Sequence, residues 1–395
     1  MTSYVTHLEG SLDGSRHPHD QLQGLHEGRP LLVRYDLEAV GKAIAREDLR
    51  SREPGLWRYR ELLPVERDEN VVSLGETTTP LLDCPRLAAR MGLESLTIKD
   101  ESRLPGGSFK SRGMALAVSR AKELGATELV IPTAGNAGGA LAAYAARAGL
   151  ICHVFMPRDT PVVNRLEAQV HGARVTLVDG LIDDCGALAL AAAKEHGWFD
   201  VSTLKEPYRI EGKKTMGLEL AEQRAWRLPD AIFYPTGGGT GLIGMWKAFD
   251  ELEALGWLDD TARPQMFSCQ SDGCAPIVRA FEALEEHAPR FENASTTASG
   301  LRVPKAVGDF LILRAVRASG GAALAAKEAD LLPWMRIACE LEGVSLCPET
   351  AACLATLETS VRNGVVKRDA DVVVFNTGAA TKYVESMEDS LGSEA

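Results

Sequence analysis

From Glu94 onward the chain alternates short, nearly unbroken apolar runs with longer amphipathic stretches. Residues 96–99, 128–132, 151–156, 174–178, 231–234, 265–270 and 371–375 read as strands. Residues 109–124 and 136–148 read as two of the helices between them. A strand that is apolar on both faces has to be covered on both faces. The alternation therefore demands an α/β fold, with mostly parallel sheets carrying helices on either side. The front of the chain breaks this pattern. Residues 1–70 are polar and His-rich, with a short strand expected at 29–35 and an exposed or docking helix at 54–63 that carries Trp57 and Tyr59. The last ten residues are polar and expected to fray.

Composition narrows the function. The net charge is −12, without a basic block or a basic patch interleaved with aromatics, so nucleic acid is not an expected partner. No run approaches the roughly 18 apolar residues of a membrane span, and the first ten residues lack the basic and apolar regions of a secretory leader. The eight cysteines are scattered without a CxxC pair, the pattern of a reduced cytoplasmic protein without structural disulfides.

Five short constellations carry chemistry. In Pro105-Gly106-Gly107-Ser108-Phe109-Lys110-Ser111-Arg112-Gly113 a turn leads into a helix, which places Lys110 in the first helical turn. The positive end of the helix dipole and nearby Arg112 should lower its ammonium pKa and favour imine formation, although a solvated surface lysine fits the local pattern as well. In Thr133-Ala134-Gly135-Asn136-Ala137-Gly138-Gly139 small residues between a strand and a helix expose backbone N–H groups suited to a carboxylate; Asn136 is either an N-cap or a neutral amide facing a ligand. Pro235-Thr236-Gly237-Gly238-Gly239-Thr240-Gly241 reads as a small phosphate nest, or else a structural Gly-rich turn, and lacks the lysine of a P-loop and the acidic residue of a dinucleotide site. Phe375-Asn376-Thr377-Gly378 delivers a hydroxyl at a strand end, for a helix cap or for a ring nitrogen. Pro207-Tyr208-Arg209-Ile210-Glu211-Gly212-Lys213-Lys214-Thr215 gathers three cations, either on a solvated helix start or around an anion.

The order of these motifs over residues 70–385 resembles the fold type II pyridoxal-phosphate (PLP) enzymes, and the threonine synthases among them. The resemblance implies two open, mostly parallel sheets and a cofactor in the cleft between a large and a small lobe. It implies Lys110 as the Schiff-base lysine and general acid/base, Asn136 on the cofactor's phenolic oxygen, and Gly237, Gly238, Gly239, Thr240 and Gly241 around its phosphate. Thr377 would face the pyridine nitrogen. Thr133, Ala134 and Gly135 would take the substrate carboxylate, with Arg209 and Lys213, or Lys214, on a substrate phosphate. Family members often carry a CxxC knuckle near the front; Gly10 and Asp13 stand in its place here, so no metal is expected. Glu349 is expected to cap a helix rather than approach the cofactor.

The implied reaction starts from O-phosphohomoserine: phosphate leaves from Cγ and water adds at Cβ to give threonine, with Lys110 moving the protons at Cα and Cβ. The lobes implied are an N-terminal segment over 1–70, a large cofactor lobe over 71–110 and 206–395, and a small inserted lobe over 111–205. A homodimer is implied as well. The motifs depart from the synthase pattern at Ser111, at residues 202–206, where synthases carry asparagines, and in the GGGTG loop, which has the dehydratase form. A threonine/serine dehydratase or a cysteate-synthase-like lyase is therefore the alternative enzyme. A synthase-like protein that keeps the cofactor pocket only as a binding module is the alternative outside catalysis.

Overall fold

The computed structural model describes residues 3–391, and these fall into two compact units. The first comprises the chain up to Thr78, Lys110–Trp226 and Gly244–Asp259; the second comprises Thr79–Phe109, Arg227–Ile243 and the chain from Asp260 on.

The first unit is built on a four-stranded, wholly parallel sheet in the order Arg174–Val178, Ile151–Pro157, Glu128–Pro132, Phe199–Asp200. Helices Lys110–Glu123, Asn136–Ala148 and Val162–Val170 pack side by side, with Tyr208–Gln223 against the first of them. Asn136–Ala148 and Val162–Val170 each follow a strand of this sheet and so begin at its carboxyl edge. Their core joins Met114, Leu116 and Val118 to Leu129, Ile131 and Val154. Leu8, Leu31, Val33 and Leu56 from the front of the chain belong to the same core. Val5–Gly10, Arg16–His17 and Leu31–Tyr35 form a small antiparallel sheet there.

Thus the first 70 residues are not a segment to themselves. The expected helix at 54–63 is a 3₁₀ stretch, Leu56–Leu62, and it is docked rather than exposed, with Leu56 and Tyr59 buried. The compact units also run differently from the expected lobes, since Tyr208–Gln223 lies in the first unit. The reason is a reciprocal glycine contact. A Cβ on Gly212 would sit 1.9 Å from the Arg112 carbonyl oxygen, and one on Gly113 would sit 3.2 Å from that of Arg209. Only glycines let these two helices approach backbone to backbone.

The second unit carries a six-stranded sheet in the order Ala323–Ala326, Gln265–Ser271, Ala231–Pro235, Val372–Asn376, Thr97–Asp100, Leu81–Asp83. It is parallel except for the last strand. Phe233 and Phe267 stack at 4.3 Å between its strands, within a core that includes Val372, Val374 and Leu354. All eight cysteines are free and seven are buried. The expected frayed end is a helix over Val384–Leu391, and residues 392–395 lie outside those described. Among the described residues no helix is long and apolar enough to cross a membrane.

Candidate active site

In the first unit Lys110 opens its helix, half-buried, as the turn before it requires. Arg112 does not act as the neighbouring free charge anticipated for it. Its guanidinium makes two 3.0 Å hydrogen bonds to the Glu219 carboxylate and a third, at 3.1 Å, to Thr215. Both side chains of that ion pair are buried, so the cation is already compensated.

The loop of Thr133, Ala134, Gly135 and Asn136 follows the central strand Glu128–Pro132. Thr133 N–H donates to the Phe155 carbonyl of the adjacent strand at 2.9 Å. The Thr133 hydroxyl donates to the Gly135 carbonyl at 3.1 Å and accepts from Gly135 N–H at 3.2 Å, which closes the loop on itself. Gly135 is the N-cap and no side chain caps the helix, so its first N–H groups suit an anion. Asn136 is buried in the first turn.

Arg209 and Lys213 lie on the helix that crosses the Lys110 helix at Gly113. A Cβ on Gly113 would meet Lys213 Cε at 3.1 Å. Lys213 is fully buried. Arg209 is 2% exposed; its Nη1 donates to the Val201 carbonyl at 2.9 Å, while its Nε has no partner within the chain. Burial lowers the Arg209 pKa, with Glu206 and Asp200 opposing. Glu206 was not anticipated as part of this arrangement. Its carboxylate accepts from Tyr208 N–H at 2.7 Å and from Arg209 N–H at 3.1 Å. Burial pushes the Glu206 carboxyl up to about 7, against the lowering pull of Arg209 and those two amides.

Lys214 points away from this group into a buried quartet. Its Nζ lies 2.6 Å from Glu211 Oε2 and 2.8 Å from Glu251 Oε2. Lys247 contacts both carboxylates, at 3.0 Å from Glu211 Oε1. Tyr35 donates its hydroxyl to Glu211 Oε2 at 2.7 Å. Burial alone would raise the Glu211 carboxyl, but Lys214 and Lys247 overrule it and hold it low. Lys214 is therefore a structural charge and not a candidate for an anionic substrate.

The second unit holds Gly237, Gly238, Gly239, Thr240, Gly241 and Thr377. The glycine loop leaves strand Ala231–Pro235 and enters helix Thr240–Ala254. A Cβ on Gly237 would lie 2.2 Å from the Gly300 carbonyl oxygen, and one on Gly241 would lie 1.9 Å from the Tyr234 hydroxyl. Gly239 adopts φ +80°, a left-handed conformation that side chains disfavour. A loop built this way offers backbone amides without side chains, as a phosphate requires.

Thr377 ends a second polar chain. Its N–H donates to Thr350 Oγ1 at 3.2 Å, and Cys347 Sγ lies 3.6 Å from its hydroxyl. Burial pushes the Cys347 thiol up to about 12, so the hydroxyl has a neutral neighbour. The stretch before Lys110 pairs with this segment through an isolated bridge between Ser108 and Gly378 and a 2.9 Å bond from Ala379 N–H to the Gly107 carbonyl. The Ser108 hydroxyl is buried without a partner in the chain. Glu349 does not cap its helix. It accepts from Gly300 N–H at 2.7 Å and from the Tyr383 hydroxyl at 2.8 Å, and so supports the residue that backs Gly237.

A lysine at a helix start, a side-chain-free glycine cradle and a neutral hydroxyl make a donor set that fits PLP. With mostly parallel sheets flanked by helices, groups of this chemistry are those of an α/β cofactor enzyme. Residues 72–378 match the family described as pyridoxal-phosphate dependent enzyme, and the chain belongs to that family. It is 35% identical over 356 residues to the threonine synthase of Methanocaldococcus jannaschii, covering 90% of this chain and 87% of that protein. It is also 35% identical over 358 residues to the threonine synthase of Methanosarcina acetivorans, with the same coverage of both chains. The processed form of threonine deaminase isoform 2 from Solanum lycopersicum shares the fold, with a TM-score of 0.68 at 18% identity, over 86% of this chain and 96% of that one.

Proposed function

We infer that the chain is a threonine synthase, which eliminates phosphate from O-phospho-L-homoserine and adds water to give L-threonine. The observation that carries this reading is Arg209, a buried guanidinium with an unshared Nε on the helix that crosses the Lys110 helix. Its likeness to threonine synthases supports the same conclusion.

When bound, PLP supplies the electron sink that makes a proton at Cα acidic. Lys110 holds the cofactor and moves protons at Cα and Cβ through its Nζ. Thr133, Ala134 and Gly135 bind the substrate carboxylate through the loop and the helix start behind it. Arg209 and Lys213 hold the phosphate and stabilise the charge it carries away from Cγ. Asn136 serves the cofactor's phenolic oxygen. Gly237, Gly238, Gly239, Thr240 and Gly241 cradle its phosphate, and Thr377 offers its ring nitrogen a neutral hydroxyl that cannot protonate it as an aspartate would. The enzyme works in the cytoplasm as a homodimer.

The test is to follow phosphate release and threonine formation from O-phosphohomoserine with the cofactor-loaded enzyme. Bound cofactor with neither product overturns the reading. Glu206 favours a second reading, a threonine/serine dehydratase, because a carboxylate already occupies the amides beside Arg209. Formation of 2-oxobutanoate from threonine, without any turnover of O-phosphohomoserine, would select it.

A further inference from the structure

Strand Ile151–Pro157 lies beside the central strand Glu128–Pro132, in parallel register, with Pro132 opposite Phe155. The loop after the central strand carries Thr133, Ala134, Gly135 and Asn136. The loop after its neighbour carries Thr160 and leads into helix Val162–Val170. In parallel sheets ligands gather at the carboxyl ends of strands, where both of these loops lie.

Helices Asn136–Ala148 and Val162–Val170 run in the same direction and touch where a Cβ on Gly139 would sit 1.9 Å from Glu167 Oε2. Three residues back on each helix are Asn136 and Asn164. Asn136 opens its helix and Asn164 is the third residue of its own, so both stand in first turns at the carboxyl edge. Asn164 is fully buried on the inward face of its helix, four residues ahead of buried Ala168. Neither its amide oxygen nor its amide nitrogen has a hydrogen-bond partner in the chain. The Thr160 hydroxyl, on a residue 2% exposed, has none either. Buried polar groups are nearly always paired. An unpaired amide and an unpaired hydroxyl beside an uncapped helix start mark a place where a ligand completes the bonding.

We propose that Thr160 and Asn164 are specificity-determining residues that read the α-carboxylate of an amino-acid substrate beside the 133–136 loop. The assignment rests on the carboxylate role inferred above for that loop. The amide of Asn164 donates to one carboxylate oxygen, and the Thr160 hydroxyl donates to the carboxylate from the neighbouring loop. Both groups are neutral, so they favour an anionic oxygen without adding charge to the edge. A site that hydrogen-bonds a substrate group rejects the analogue lacking it. A pair that merely held a buried water would not distinguish one ligand from another.

The experiment titrates the cofactor-loaded enzyme with L-threonine and with L-threoninamide, following the cofactor's absorbance. The wild type should prefer threonine. Asn164→Ala and Thr160→Val should each weaken threonine binding by roughly tenfold and leave threoninamide within about twofold. Retained threoninamide binding in each variant guards against a folding defect. Asn164→Asp keeps the shape and puts an acceptor in place of the donor. It should lose threonine more severely than the alanine variant does, because two carboxylates then face each other. Unchanged discrimination in all three variants overturns this assignment alone. A wild type that holds threoninamide as tightly as threonine overturns the carboxylate role of the loop and this assignment with it.

Discussion

Phe109 and Thr377 share a backbone hydrogen bond, with the N–H of Phe109 donating to the carbonyl of Thr377 at 3.0 Å. The next residue in the chain is Lys110. The segment that presents the Thr377 hydroxyl also fixes the last residue before the lysine, so a turn rich in glycine enters its helix from a defined position.

Lys110→Ala should abolish covalent attachment of the cofactor, so that borohydride reduction fixes it to the wild type and not to the variant. Loss of the proton-transferring amine alone costs roughly 10²–10⁴-fold in rate. Steady-state turnover and mass spectrometry of the reduced proteins check both.

Arg209→Ala should raise KM for O-phosphohomoserine by roughly 10- to 100-fold, the value of a charge-assisted hydrogen bond. Binding of unphosphorylated amino acids should change far less. Parallel titrations with threonine and O-phosphohomoserine separate these outcomes.

Glu206 predicts a pH dependence of stability. Burial raises its carboxyl to about 7 from the ordinary 4.5. Between those values the folded chain keeps a proton that the unfolded chain releases. Its contribution is therefore full below about 4.5 and is lost as pH rises through 7, a span of about 3 kcal/mol. Urea denaturation across pH 4.5–7.5 should show this slope, and Glu206→Gln should flatten it.

The quartet around Glu211 sets a larger effect. Glu211→Ala leaves Lys214 and Lys247 facing a single carboxylate in a dry interior. The cost should be about 3–5 kcal/mol in denaturant unfolding. Replacing all four charges by apolar residues of similar volume should cost much less, because no orphaned charge remains.

The sequence exposed the parts of this structure that depend on local chemistry. The Lys110 turn, the 133–136 loop and the glycine cradle are each written in adjacent residues. Among the strands not expected from the sequence, Val5–Gly10 and Arg16–His17 lie in the polar front of the chain and three others carry little local signal. Phe199–Asp200 has two residues, Ala323–Ala326 is nearly all alanine, and Leu81–Asp83 is a short antiparallel edge. Leu56–Leu62 takes the docked alternative, as a 3₁₀ stretch whose tighter winding does not show the helical period that would have chosen between exposed and docked. Arg112 reads as an uncompensated neighbour of Lys110 because its partner Glu219 comes from far along the chain, whereas Lys214 finds Glu211 three residues back and Glu251 farther on. Thr160 and Asn164 leave no pattern at all, since a buried polar pair is visible only when its missing bonds can be counted.

The uncapped helix start behind the 133–136 loop and the buried Arg209 sit on a chain of net charge −12. An incoming dianion is repelled by the protein at long range and drawn in by that helix dipole and Arg209 over the last few ångströms. Salt screens the first field beyond about 8 Å at physiological strength and reaches the second much less. Added salt should therefore speed the encounter of enzyme and phosphorylated substrate while only modestly loosening the bound state, the reverse of what a positively steered enzyme does.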